Sequence, residues 1–249
     1  MIEWQSSTIK NVSIIGDGAH ASLKRVSDGV LYLSSKNFKP DGISLDNCEY
    51  ISEETYNKYF KENSKSLTKH KTGDILLSII GTIGAPYIAK KNDKFGLSSS
   101  VSIIRPKKIN SDYLYYWIKT PMFQDSIRQI KSGVAQSFLS LKMIGSLPIS
   151  YPKTESDQQK IAKILSNYDD LIENNLKRIE LLEEFTKQIY KEWFLRFNIN
   201  NKKLKIDSKS SLPFGWIKKE LKGFFPINTG KKDANIKSEN GRYPFFTCS

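Results

Sequence analysis

SDQQKIAKILSNYDDLIENNLKRIELLEEFTKQIYKEWFLRF, residues Ser156 to Phe197, decides how the rest of the chain is read. Apolar side chains fall at Ile161, Leu165, Tyr168, Ile172, Ile179, Leu182, Ile189 and Trp193. The gaps are threes, fours and sevens, which draws one stripe down one face of a helix. Asn175 and Thr186 hold the two stripe positions that are not apolar, and no Pro or Gly interrupts the run. Ser156-Asp157-Gln158-Gln159 reads as a capping box, and Asn198, Asn200 and Asn201 end the helix. At 1.5 Å per residue it spans roughly 60 Å.

That length exceeds the width of a small domain, so one compact neighbour cannot cover the stripe. A long apolar seam pairs with another long helix, and no second stretch of the chain has that pattern. The expectation is a partner helix that is supplied in trans or has been lost; Asn175 either fixes register or is a solvated, merely tolerated polar residue. A core helix crossing one large domain is the plainer alternative.

Outward from the helix, the charge divides. Residues 1–150 carry 20 Lys+Arg against 13 Asp+Glu, residues 151–197 carry 8 against 9, and residues 198–249 carry 11 against 4. A neutral helix thus lies between basic flanks, and phosphate backbones are the usual partner of such flanks. Cys48 and Cys248 are the two cysteines and make no disulfide framework; with no apolar signal core at the N-terminus, they fit a cytoplasmic protein. The longest apolar runs, such as Ile75 to Ile80, are too short to cross a bilayer, so no membrane role is expected.

Before the helix, the pattern is mixed α and β. Val30 to Leu33, Ile75 to Ile80, Tyr87 to Ala89, Ser99 to Ile104 and Leu147 to Tyr151 read as strands. Glu53 to Phe60 with Ser52 as cap, Asp112 to Ile118 and Pro121 to Ile130 read as helices, and Lys131 to Ser140 as a polar loop. Past the helix the chain restarts at an offset of 212 residues: Trp4 falls on Trp216, Ile9 on Leu221, Lys10 on Lys222, Ile15 on Ile227, Gly18 on Gly230 and Gly29 on Gly241. Recurrent glycines mark recurrent turns. The expected fold class is α+β: a mixed α/β domain over 1–152, a long coiled-coil-type helix over 153–198, and over 199–249 a linker plus about 35 residues of a second domain.

Three groups of residues tie this pattern to a family. The first is Leu147-Pro148-Ile149, Asp157-Gln158-Gln159-Lys160-Ile161-Ala162, Leu165, Asp169, Leu171-Ile172 and Ile179 to Leu182. The second is the restart, Thr229 to Asn235 and Gly241 to Phe246; the third is Gly73-Asp74-Ile75-Leu76 with Gly81-Thr82-Ile83-Gly84. Together they resemble the specificity (S) subunit of type I restriction-modification enzymes. Two departures stand out: Pro152-Lys153 and Asp157 replace the family's Pro-Pro and Glu, and one recognition domain with one helix stands where the family has two of each.

The resemblance implies a target-recognition domain that reads one half of a split site in double-stranded DNA, and a spacer helix that sets the distance between halves. It implies methyltransferase (M) and restriction/motor (R) subunits as partners. It implies no catalytic site and no cofactor in this chain, S-adenosylmethionine being held by the methyltransferase. One domain with one helix could pair with a second copy, and two-fold symmetry then predicts a palindromic, interrupted target.

Candidate chemistry is sparse. Gly230-Lys231 lacks the upstream glycine of a P-loop, since Phe225 holds that position. Gly81 to Gly84 reads as a strand-end turn, Asp207 with Glu220-Leu221-Lys222 mimics a nuclease spacing by coincidence, and His20 reads as a turn histidine. No Cys/His cluster has metal-ligand spacing. DNA contacts are expected from three loop clusters: Lys24, Arg25, Lys36 and Asn37; Lys90, Lys91 and Lys94; and Lys131, Ser132, Gly133, Gln136 and Ser137. Lys and Arg anchor phosphates, whereas Asn and Gln pair with adenine edges. Two other classes compete: a coiled-coil adaptor whose basic modules bind protein, and an enzyme acting alone.

Overall fold

The computed structural model describes residues 2–40, 42–64, 66–132 and 138–226, with the side chains of 131 and 132 set aside. It divides into two compact units, Met1–Leu176 and Lys177–Ser249, the boundary falling inside the long helix.

The first unit opens with β1 (Trp4–Thr8), α1 (Ile9–Val12) and β2 (Ser13–Asp17), then β3 (Val30–Leu33), β4 (Phe38–Lys39), β5 (Gly42–Ile43) and β6 (Glu49–Ile51). After α2 (Glu53–Tyr59) come β7 (Ile75–Ser78), β8 (Pro86–Ile88), β9 (Phe95–Leu97) and β10 (Val101–Pro106). Three helices, α3 (Ser111–Lys119), α4 (Pro121–Ser132) and α5 (Leu141–Ser146), lead to β11 (Pro148–Pro152) and the long helix α6 (Glu155–Tyr190). The central sheet has the order β2-β10-β7-β8 and is antiparallel throughout. A second sheet, β6-β3-β9, is mixed, and β1 pairs antiparallel with β11 so that the chain start lies beside the entrance to α6.

Both faces of the central sheet are covered. Ile75, Leu77 and Ile104 pack with α1, α3, α4, α5 and β11, while Leu76, Val101 and Ile103 pack with Leu33, Phe38, Phe95 and Leu97. Successive strand residues face opposite ways, so a sheet buried on both sides needs the unbroken apolar run seen at Ile75. Gly73 takes φ +85, and Asp74 behind it accepts from the Lys71 N–H at 2.8 Å and from Arg105 Nε and Nη2 at 2.9 and 2.6 Å. The Arg105 Nη2 also donates to the Lys69 carbonyl at 3.1 Å, so the buried Asp74 carboxylate meets a guanidinium that is itself anchored to backbone. Gly81 (φ +69) and Gly84 (φ +93) close the strand in a turn, with the Gly84 N–H donating to Ser78 O at 2.9 Å.

Three elements differ from the sequence reading. Strand β9 lies in a stretch to which no strand was assigned, just before the strand expected from Ser99; it pairs in parallel with β3, and a Cβ on its Gly96 would meet the Phe60 ring at 2.7 Å. A parallel partner distant in sequence leaves no local signal. Helix α5 falls where only the approach to a strand was read. The long helix starts at Glu155, and Thr154 rather than Ser156 caps it: the Thr154 Oγ1 accepts from the Asp157 N–H at 3.2 Å and donates to the Asp157 carboxylate at 2.7 Å. At its far end α6 passes into a π-helical turn, Lys191–Leu195.

The second unit holds the distal part of α6, a hairpin of β12 (Asn198–Ile199) with β13 (Lys202–Lys203), and a single turn at Leu221–Gly223. Asn200 and Asn201 link the hairpin at φ 51 and 60, left-handed values that Asn tolerates best among residues bearing a side chain. Trp216 packs against Phe194 and Phe197, with ring centroids at 5.8 and 5.7 Å. At the 212-residue offset, α1 falls on the turn at Leu221–Gly223. The repeat's matches from Ile227 onward, including Gly230 and Gly241, lie outside the described residues.

Candidate nucleic-acid and partner interface

The proximal part of α6 is bolted to the domain through polar groups. Gln158 is 2% exposed; its Oε1 accepts from the Asn110 N–H at 2.8 Å and its Nε2 donates to the Pro152 carbonyl at 2.8 Å. Asn110 also caps α3, its Oδ1 accepting from the Tyr113 N–H at 3.0 Å. One turn of side-chain chemistry therefore joins the start of α3, the end of β11 and the first turn of α6. Farther along, Tyr116 donates to Asp169 at 3.0 Å and Lys119 approaches the same carboxylate at 3.5 Å. Burial and the Asp169 bond raise the Tyr116 phenol, which stays protonated and donating. Tyr113, raised to about 12 by burial, donates to the Ser150 carbonyl at 2.7 Å. Ala162 is buried and Ile161 packs against the main core.

Beyond that joint the stripe is open. Leu165, Tyr168, Ile172, Asn175, Ile179, Leu182 and Trp193 are exposed, Ile179 by 53% and Leu182 by 63%; Ile161 and Ile189 are half-buried. A parallel row, Ile164, Leu171 and Phe185, is exposed as well, so the apolar face is wider than a two-helix seam requires.

The expected DNA contacts fare unequally. Arg25 lies 2.8 Å from Glu49 and 4.2 Å above the Tyr32 ring, and Lys36 reaches the same Glu49 at 3.6 Å, so the two cations share one carboxylate. The hydrogen bond from Arg25 holds the Glu49 carboxyl below its ordinary range. Asn37 is a correction: it is 2% exposed, its Oδ1 accepts from the Ser34 N–H at 3.0 Å and its Nδ2 donates to the Ser44 carbonyl at 3.3 Å. A spent, buried amide holds its own loop together and has nothing left to offer a base edge. Lys90 pairs with Glu173 at 3.6 Å and Lys94 with Glu53 at 2.6 Å. Lys24 and Lys91 are exposed and form no ion pair among the described residues. Gly133, Gln136 and Ser137 lie outside the described residues, and Lys131 and Ser132 end α4 with side chains outside them.

Lys90, Lys94 and Lys119 edge a cleft of about 900 Å³ between the sheets, α3 and α6. Asp93, Asp112, Asp169, Asp170 and Glu173 also line it, so its carboxylates outnumber its cations and oppose a phosphate backbone. Among the described residues no group of His, Cys, Asp and Glu could hold a metal ion. Asp207 accepts from Ser210 and Lys209 within its own turn, and Glu220 pairs with Lys222. His20 sits 2.7 Å from Asp17 on an exposed turn. No helix among the described residues is long and apolar enough to cross a membrane.

A recognition-type α/β domain locked onto a long helix with an open apolar face is the architecture of a DNA specificity module. The chain belongs to the type I restriction modification DNA specificity domain family, whose pattern it matches over residues 1–184. Among curated relatives it is similar to the type I restriction enzyme MjaIX specificity subunit of Methanocaldococcus jannaschii, at 29% identity over 98% of this chain and 57% of the relative. It is also similar to the EcoBI specificity subunit of Escherichia coli, at 24% identity over 68% of this chain and 37% of the relative. The crystal structure of the type I restriction-modification S subunit from M. genitalium shares the fold, with a TM-score of 0.55 at 15% identity, over 78% of this chain and 46% of that one. The chain thus spans little more than half the length of the MjaIX relative.

The sequence reading missed the joint itself. Gln158 and Asp169 stand in the motif that carries the family resemblance, but their partners Asn110 and Tyr116 are 48 and 53 residues away. The signal was a Gln and an Asp on a helix face that also carries Ala162, a small residue of the kind that lets two backbones approach.

Proposed function

We propose that this chain is the non-catalytic DNA-recognition subunit of a type I restriction-modification complex, acting in the cytoplasm. It reads one half of a split site in double-stranded DNA and scaffolds the methyltransferase subunits, which hold S-adenosylmethionine; the restriction/motor subunits join that frame. The chain itself binds no cofactor. Its target-recognition domain is residues 1–152, its spacer helix 153–198, and residues 199–249 are a linker and the start of a second domain.

One observation carries the reading: a family-matched domain is locked by Gln158 and Asp169 to a helix whose stripe from Leu165 to Leu182 is exposed. Among the described residues no second helix approaches its 36 residues. A second copy of this helix, presenting the same stripe, fits that face, and the additional row Ile164, Leu171 and Phe185 leaves area for the methyltransferase beside it. A homodimer places two identical recognition domains on a two-fold axis, which reads a palindromic, interrupted site.

The test is co-expression with the cognate methyltransferase subunit, light scattering of the purified complex and mapping of methylated positions in the host DNA. Two copies of this chain per complex and a palindromic interrupted motif are expected. A single copy with a non-palindromic motif overturns the homodimer. Methylation unchanged by omitting this chain overturns the DNA reading and favours an adaptor.

A further inference from the structure

Four of the cations expected to touch DNA are held by carboxylates, Lys24 and Lys91 stand unpaired among the described residues, and a separate group of unpaired lysines lies elsewhere. Arg25, Lys36, Lys90 and Lys94 each have a carboxylate within 3.6 Å. A phosphate approaching any of them also approaches Glu49, Glu53 or Glu173, and the repulsion offsets the attraction. Lys10, Lys107, Lys108 and Lys142 are all exposed, and none forms an ion pair among the described residues.

Backbone contacts bring these four lysines to one face. The N–H groups of Lys107 and Lys108 both donate to the Val12 carbonyl, at 2.9 and 3.1 Å, which pins the end of β10 against the end of α1. Lys10 lies on α1 itself. Its alkyl stem crosses α5 at Gly145, where an added Cβ would lie 3.3 Å from the Lys10 Cβ and 4.0 Å from its Cδ. Lys142 is three residues before Gly145 and so shares that face of α5. The Ile9 N–H donates to the Leu147 carbonyl at 3.0 Å, which ties α1 to the end of α5. Exposed Asn11, whose Nδ2 donates to the half-buried Ser7 hydroxyl at 3.3 Å, adds an uncharged polar group beside Lys10.

We infer that this face, formed by α1, α5 and the turn after β10, is where the domain grips the phosphodiester backbone of duplex DNA, separate from the loops that read bases. The inference rests on the DNA reading above. Four lysines on three rigidly joined segments lose little freedom on meeting a phosphate row, and each contact releases condensed counterions from the DNA.

The experiment uses the full chain and a labelled duplex of arbitrary sequence, because backbone contacts need no target. Affinity is measured from low to moderate salt for the wild type, for Lys10→Gln/Lys107→Gln/Lys108→Gln/Lys142→Gln, and for Lys36→Gln/Lys90→Gln/Lys94→Gln. The first set is expected to lower the slope of log affinity against log salt by about 3 and to weaken low-salt binding at least tenfold; the second set lowers the slope by less than about 1. Arg at the same four positions keeps the wild-type slope, which separates lost charge from damaged folding. A salt-dependent wild type whose slope the quadruple Gln variant leaves untouched overturns the patch alone. A wild type with no salt-dependent affinity overturns the DNA reading together with the patch. Loss of methyltransferase assembly with an intact slope assigns the face to protein and also overturns it.

Discussion

Ile75, Leu76 and Leu77 in β7 and Ile179, Leu181 and Leu182 in α6 are the same kinds of residue with opposite fates: the first three are fully buried, the second three 53–65% exposed. The strand triplet is covered by two layers of its own domain. The helix triplet stays more than half exposed, although side chains of that size gain about 1.5–3 kcal/mol each on full burial. The same composition therefore marks a finished core in one region and a surface awaiting a partner in the other.

Truncation separates the two most sharply. Leu77→Ala should destabilise the isolated chain by about 2–5 kcal/mol in urea unfolding, through lost burial and a cavity. Ile179→Ala should change it by less than about 0.5 kcal/mol. Equal losses would mean that the helix stripe is covered within the chain. Ile179→Asp reverses the ranking at the level of assembly: a charge in a closing apolar seam should weaken self-association and methyltransferase binding by at least about a hundredfold, and should leave the unfolding midpoint independent of protein concentration. Sedimentation of the variant beside the wild type reads this directly, and intact assembly would break the comparison.

The joint between the two regions is next in size. Gln158→Ala leaves the Asn110 N–H and the Pro152 carbonyl buried without partners and should cost about 1–3 kcal/mol. Gln158→Glu keeps the shape but removes the donor to Pro152 and buries a carboxyl, so urea midpoints should fall with both. If the joint also positions the helix for assembly, both variants weaken methyltransferase binding beyond what Leu77→Ala does at matched stability.

The smallest expected effect lies inside the recognition domain. His70 stacks on Phe95 at 4.3 Å, and burial holds its imidazole below the ordinary pKa. Its neutral form is the native one, so its stability contribution is complete above the unfolded value near 6.5. That contribution is lost as pH falls from there toward the lowered folded value, where the unfolded chain alone binds the proton. The unfolding midpoint should therefore drop between pH 7.5 and 5.5. His70→Phe should flatten that drop, and an unchanged profile would remove His70 as its source.

Much of the architecture was legible in the chain. The stripe from Ile161 to Trp193, the apolar run at Ile75 and the cap Ser52 act within a few residues, so spacing reports them. Strand β9 was hidden because its partner β3 is parallel and more than sixty residues earlier. Ser156 looked like the cap because it precedes Gln159 at the right interval, yet Thr154 follows the strand-ending Pro152 more closely and takes the role. The expected DNA contacts were legible only as residue types. Whether a lysine is free or held depends on carboxylates far off in sequence, as with Lys90 and Glu173 or Lys94 and Glu53.

By itself the sequence determined the long helix, its one-sided apolar face, the α+β domain before it and the resemblance to specificity subunits, since each rests on local periodicity or short motifs. Only the tertiary structure decided that Gln158 is the bolt between domain and helix, that Asn37 is spent inside its own loop, and that Lys10, Lys107, Lys108 and Lys142 meet around α1. Those outcomes depend on which distant groups arrive within about 3–4 Å, where hydrogen bonds and ion pairs take hold, and no pattern within one stretch of chain encodes that meeting.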